Sequence, residues 1–170
     1  MLRFLFPRLT DDQQRGAALF QALVAEARKP HWYVDGAVPD TLDGRFAMLA
    51  TVVALATVRV ERGAEGNIAS ASLTERFIEA MDAEHRQLGI SDPSLGKTVR
   101  KLVAGLARRV DWWRGMIGGE SDWSAATQAS VFGDRAEAAE GLRHCRDALQ
   151  SLWSRLDRAP DEALARGEIG

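Results

Sequence analysis

The hydrophobic pattern is densest between Arg45 and Arg59, where thirteen consecutive residues, FAMLATVVALATV, carry no charge. A helix that is apolar nearly all round is enclosed by other helices or lies in a membrane. Thirteen residues are too few to cross a bilayer, which takes roughly twenty. The pattern therefore predicts a buried central helix over about 44–62, ended by Gly63 after Arg59 and Arg62.

The other segments carry one apolar stripe each. Thr10 and Gln13 form a capping-box pattern ahead of Leu19, Phe20, Leu23, Val24 and Ala27, and Pro30 stops that run. The connection from Pro30 to Asp43 is long, and His31, Trp32 and Tyr33 in it either fill the gap between helices or contact a ligand. After a small, polar linker, GAEGNIASA, Ser72 and Glu75 form a second capping box for a helix with the stripe Leu73, Phe77, Met81 and Leu88, closed by Gly89. His85 lies at the edge of that stripe. Pro93 opens a fourth helix, in which Leu95, Val99, Leu102, Leu106, Val110, Trp113 and Ile117 recur by threes and fours. Asp122 caps a short helix through Val131, stopped by Gly133. Asp134 and Glu137 open the last long one, with Leu142, Cys145, Leu149, Leu152, Trp153 and Leu156 inward. No strand-like alternation survives between turn signals. The expected fold is all-α, one bundle of five or six helices around the central one. Residues 1–9 form a loosely ordered start, 10–158 the helical domain, and 159–170 a tail that adds a helical turn and frays.

Composition refines this little. The chain has 170 residues, 46% apolar and 27% charged, as expected of one soluble globular domain. A net charge of -2 argues against a general DNA binder. The single Cys145 excludes an internal disulfide, points to a reducing compartment, and reads as a small buried hydrophobe. The start, MLRFLFPRL, is too short for a signal-peptide core and lacks presequence character. It is either a loose segment docked on the domain or an interfacial anchor using Phe4 and Phe6 beside Arg3 and Arg8.

Charge is distributed unevenly. From Leu95 to Ile117 stand six basic residues and one acid, Asp111, a net +5 that leaves -7 for the rest of the chain. Lys97, Lys101 and Arg108 fall opposite the apolar stripe, flanked by Arg100, Arg109 and Arg114. Trp112 falls on the basic side and Trp113 on the buried side. An indole among cations suits an anionic membrane surface or a protein partner, unless the following chain covers it.

Catalytic and metal motifs are missing: no phosphate-binding glycine loop, H-E-x-x-H, paired-cysteine site or G-x-S-x-G elbow. His31, His85 and His144 lie on separate segments without ligand spacing, and no cofactor is expected. Asp40, Asp43 and Arg45 make the most distinctive local cluster. A carboxylate beside arginine has its pKa lowered, which suits general acid–base work poorly. Asp43 is expected to cap the central helix, and Arg45, disfavoured by the dipole in a first turn, needs an acid such as Asp40 or Asp92. The cluster either fixes the loop or meets a partner.

Ala27-Arg28-Lys29-Pro30-His31-Trp32-Tyr33 and Val38-Pro39-Asp40-Thr41-Leu42-Asp43-Gly44-Arg45-Phe46 resemble the ubiquinol–cytochrome c chaperone family. Met81-Asp82, Leu88-Gly89-Ile90-Ser91-Asp92, Gly96-Lys97 and Arg100-Lys101 resemble its second signature block, so that the similarity runs from about Phe20 to Trp113. Asp40, Gly44, Arg45, Asp92, Gly96 and Lys97 match motif positions. The sequence departs from the family at Ser91 and in the fourth helix, where Leu106-Ala107-Arg108 stands in place of an aromatic pair and glycine, and Arg109 is kept. The resemblance implies an all-helical, non-enzymatic assembly factor for the cytochrome b–c complex (complex III), binding newly made cytochrome b or another subunit at the membrane. It further implies a small partner protein and the ribosome as contacts and, with no presequence, a bacterial cytoplasmic location peripheral to the inner membrane. The expected client and partner surface comprises Asp40, Asp43, Arg45, Asp92, Lys97, Arg100, Lys101, Arg108, Arg109 and Trp112. The competing reading is a small-molecule or haem-binding helical module with His31, Trp32 and Tyr33 lining a pocket; an enzyme built on Asp40, Asp43 and Arg45 is the least favoured.

Overall fold

In the computed structural model, residues 16–87, 95–119, 122–135 and 139–170 are described, with the side chains of 85–87 and 95 excepted. Eight α-helices and one π-helical turn follow in order among them: α1 (Ala17–Ala27), α2 (His31–Val34), α3 (Leu42–Val60), α4 (Gly66–Gln87), α5 (Leu95–Gly118), α6 (Trp123–Thr127), running directly into the π turn Gln128–Phe132, then α7 (Ala139–Arg158) and α8 (Asp161–Ala165). Five of them are long, and no strand occurs among the described residues.

Helix α3 is the centre of the bundle. From Ala50 to Val58 every residue is buried, and α1, α4, α5, the π turn and α7 all touch the helix. Small alanine, valine and threonine side chains let five neighbours approach one helix closely, and burial of the surrounding leucines and aromatics supplies the drive. Enclosure leaves polar groups with only internal partners, and Ser130 in the π turn collects them. Thr51 Oγ1 lies 2.7 Å from both Ser130 Oγ and the Ala47 carbonyl. Trp113 Nε1 donates to Ser130 Oγ at 3.1 Å, and Arg109 Nε donates to the Ser130 carbonyl at 2.9 Å. The π turn closes with the Gly133 amide donating to the Gln128 carbonyl five residues back. Such a bulge displaces a carbonyl from the helical ladder, and here Ser130 O faces α3 and α5.

Three local expectations need correction. The linker GAEGNIASA is not a loop beyond Gly66, because α4 starts there, with the Glu65 carbonyl accepting from Ile68 and Ala69. Ser72 is therefore inside the helix and buried. It packs at the Gly16 end of α1, where two small residues let the helices meet, and that contact prevails over its capping propensity. Second, the cap of α3 is Thr41, whose Oγ1 accepts from the Gly44 amide at 3.2 Å; Asp43 sits in the first turn, where its charge suits the dipole. Third, the C-terminal segment does not fray. Leu164 and Ile169 are buried, and Arg59 holds the segment by donating to the carbonyls of Leu156 and Ala159 (3.1 and 2.7 Å) and pairing with Asp161 at 2.9 Å. The expected cap at Thr10, the close at Gly89 and the loose segment 1–9 lie outside the described residues.

Ser130→Ala removes the hydroxyl partner of two buried polar groups at once, Trp113 Nε1 and Thr51 Oγ1. It is expected to cost about 1–3 kcal/mol of unfolding free energy, measured by urea titration. Ala125→Ser, on the neighbouring short helix, serves as the control.

Candidate functional site

The turn that precedes α3 is built by close backbone approach. A Cβ on Gly44 would come within 1.9 Å of the Pro39 carbonyl oxygen, so only glycine fits the second position after the cap residue's successor. This packing turns Asp40 back toward α3, where its Oδ1 accepts from Arg45 Nε at 2.6 Å. Asp40 is thereby held below the usual carboxylate range, chiefly by that hydrogen bond, and Arg45 is raised by the same contact. Arg45 thus has an acidic partner in Asp40, one of the two expected; the other, Asp92, lies outside the described residues.

Beside this turn opens a groove of about 1140 Å³. Phe20, Val24 and Ala27 of α1, Phe46 and Leu49 of α3, Ala80 and Met81 of α4 and Leu102 of α5 give it an apolar lining. One lip is strongly apolar too: Val34 is 76% exposed and Leu42 42%, the most and third-most exposed of the large hydrophobic side chains among the described residues. Charged side chains ring the opening. Asp40, Asp43 and Arg45 stand with Arg28 and Glu84, while Lys101, Arg108 and Arg109 come from α5.

Six of the ten expected surface residues thus meet in one groove: Asp40, Asp43, Arg45, Lys101, Arg108 and Arg109. Lys97 and Arg100 are exposed on α5 outside it, and Trp112 is 40% exposed rather than covered. The basic helix is not uniformly free. Arg114 is engaged by Glu61 at 3.0 Å and Asp111 at 2.7 Å. Arg109 turns inward: Nε donates to Ser130 O, Nη1 to Gly105 O at 3.0 Å, and the guanidinium lies 5.7 Å from the centre of the Phe46 ring. Burial lowers its pKa to about 10, with Arg108 adding to the effect. A sequence signal for this exists, since Arg109 stands three residues after Leu106 and four before Trp113, at the edge of the buried stripe.

The aromatic cluster of the competing haem reading does not line one pocket together: Tyr33 lines the groove, whereas the rings of His31 and Trp32 pack on each other with centroids 4.4 Å apart. Trp32 is wholly buried, with Nε1 donating to the Glu26 carbonyl at 2.9 Å, and Tyr33 OH donates to the Ala27 carbonyl at 2.8 Å. His31 does not line the groove. It packs on α7 instead, its Nδ1 3.0 Å from Nε2 of His144, a pairing invisible to sequence spacing because 113 residues separate the two. Among the described residues no group of three or more histidine, cysteine or acidic side chains is placed to hold a metal. Cys145 is buried, as expected, and among the described residues no helix is long and apolar enough to cross a membrane.

The family model described as Ubiquinol-cytochrome C chaperone matches residues 34–169 of the chain. A solved structure, described as the crystal structure of the Cbp3 homolog from Brucella abortus, superposes with a TM-score of 0.78 at 27% identity. That match covers 100% of this chain and 96% of the other. No curated protein matches the chain.

Two outcomes follow. Gly44→Ala forces Pro39 away from α3; it is expected to cost at least about 2 kcal/mol and to reduce the Asp40–Arg45 contact, read by urea titration and by loss of any effect of a second Asp40→Asn change. The histidine pair makes stability pH-dependent. Burial, with His144 nearby, lowers the His31 pKa below 6.5, so that the unfolded chain takes up protons more readily than the fold. Stability from this site is complete above pH 6.5 and falls as the pH drops below it. The urea midpoint should decline from pH 7 to 5.5, and less steeply in His31→Gln.

Proposed function

The chain belongs to the ubiquinol-cytochrome C chaperone family, and on that premise we propose that it acts without catalysis, holding a segment of newly made cytochrome b in the groove until complex III assembles. The observation that carries this reading is the groove itself, with an apolar lining, a projecting apolar lip and a charged rim. Such a surface suits an amphipathic or membrane-destined helix before it reaches its final neighbours. The Asp40–Arg45 pair sets the shape of the groove mouth rather than performing chemistry, since a salt-bridged carboxylate held ionised is a weak general acid.

The outer surface of α5 supports the location. Lys97 and Arg100 are exposed, Lys101 and Arg108 share their helix, and none of the four has an ion-pair partner among the described residues. Trp112 follows Lys101 by eleven residues and Arg108 by four, which places an amphipathic ring in line with them. This arrangement suits peripheral contact with an anionic inner leaflet from the bacterial cytoplasm. Contact with the ribosome or a small partner protein on the same basic surface completes the proposal.

Charge reversal at Lys97, Lys101 and Arg108 tests it. Each cation near an anionic surface contributes about 1 kcal/mol, so the membrane-bound fraction is expected to fall at least about tenfold, with complex III levels falling alongside. Unchanged recruitment and unchanged complex III would remove the basic surface from the proposal.

A further inference from the structure

The α5 wall of the groove carries charge that the groove does not neutralise. Asp40 and Arg45 satisfy each other at the mouth, whereas Lys101, Arg108 and Arg109 have no ion pair among the described residues. Arg109 is the most confined of the three. Its Nε and Nη1 are bound to the neutral carbonyls of Ser130 and Gly105, which fixes the guanidinium plane over Phe46 and leaves Nη2 without a protein partner among the described residues. A cation partly withdrawn from water and held only by carbonyls is incompletely compensated. Nη2 remains to donate a charge-assisted hydrogen bond to a carboxylate.

We infer that the groove takes an amphipathic helical segment of a partner polypeptide with one carboxylate in its apolar face, and that Arg109 and Arg108 receive that carboxylate. The inference rests on the groove being the client site proposed above. A groove of about 1140 Å³, open along one side, is large enough to receive a helical segment and not just a single side chain. Gly105 is itself buried, and a Cβ there would lie 3.5 Å from Arg109 Nη1 and 3.7 and 3.9 Å from Phe46 Cζ and Cε1, so these side chains cover it and form the wall at that point. A lipid phosphate is the weaker fit, because Asp43 and Glu84 line the same groove and would face it with like charge. A polypeptide can offer backbone and side-chain donors to those carboxylates while its own acid meets α5.

The test uses the full-length protein in living cells with the photoreactive residue p-benzoylphenylalanine in place of Leu42 on the lip. Adducts are sequenced by mass spectrometry in three backgrounds: otherwise wild type, Arg108→Gln and Arg109→Gln. The expected adducts map to a helical client segment with an Asp or Glu within about one turn of the linked residue, and each arginine change lowers their yield about tenfold. Arg108 is exposed and has no ion pair among the described residues, so its variant reports on binding even where Arg109→Gln loosens the Ser130 contact. Pairing Arg108→Glu with an acid-to-arginine change in the client should restore the yield. Adducts on an acid-free segment, or a yield unchanged in both variants, would overturn the inference while leaving the groove as the client site. Adducts to lipid alone, or no protein adduct at all, would overturn both.

Discussion

Everything in this bundle depends on how α3 is enclosed. A helix whose middle nine residues are buried on all sides needs short side chains, so that five neighbours can approach, and it needs internal partners for whatever polarity it keeps. Ser130 meets the second requirement. By leaving the regular helical ladder in a π turn, the chain presents both a hydroxyl and a carbonyl to α3 and α5 at one point, and Thr51, Trp113 and Arg109 converge there. The hub orients α5 on α3 more specifically than apolar packing would, because hydrogen bonds have direction and burial does not.

The groove is the consequence at the other end of the same helix. Burial of α3 lapses toward its N-terminus, where Leu42, Asp43 and Arg45 are exposed and Phe46 and Leu49 only partly covered. Those are the residues that α1, α4 and α5 surround without closing over. Arg109 links the two regions. Anchored to Ser130 on one side, it reaches over Phe46 on the other, so the polar hub of the core also sets the cationic wall of the groove. The Pro39–Gly44 contact then defines the mouth, placing the Asp40–Arg45 pair at its edge.

This arrangement belongs to a chain of the ubiquinol-cytochrome C chaperone family. Asp40 and Arg45 satisfy each other at the mouth, and the rest of the lining is apolar or carries charge of both signs, with Asp43 and Glu84 opposite the cations of α5. Charge is concentrated where the chain's net negative balance would not suggest it. One helix presents the basic side chains, and part of its charge is diverted internally, Arg114 to Glu61 and Arg109 to the core.

The sequence by itself determined the helices and the centre of the bundle. An uncharged run of thirteen residues between two arginines admits few alternatives, and the stripes of α5 and α7 repeat at helical spacing over several turns. It also called for an acidic partner of Arg45, with Asp40 and Asp92 as the choices, because the dipole disfavours a cation in a first turn. What only the tertiary structure decided involves residues far apart in the chain or choices among near-equal local states. Ser72 had a capping signature, yet its small size mattered more against Gly16 than its hydroxyl did at a helix end. The C-terminal segment carries no strong signal, and Arg59, about a hundred residues earlier, holds it in place. The His31–His144 pair, the Ser130 hub and the inward turn of Arg109 likewise join distant segments. Periodicity reports which face of a helix is buried, but not which neighbour covers it, and the groove exists only in that second piece of information.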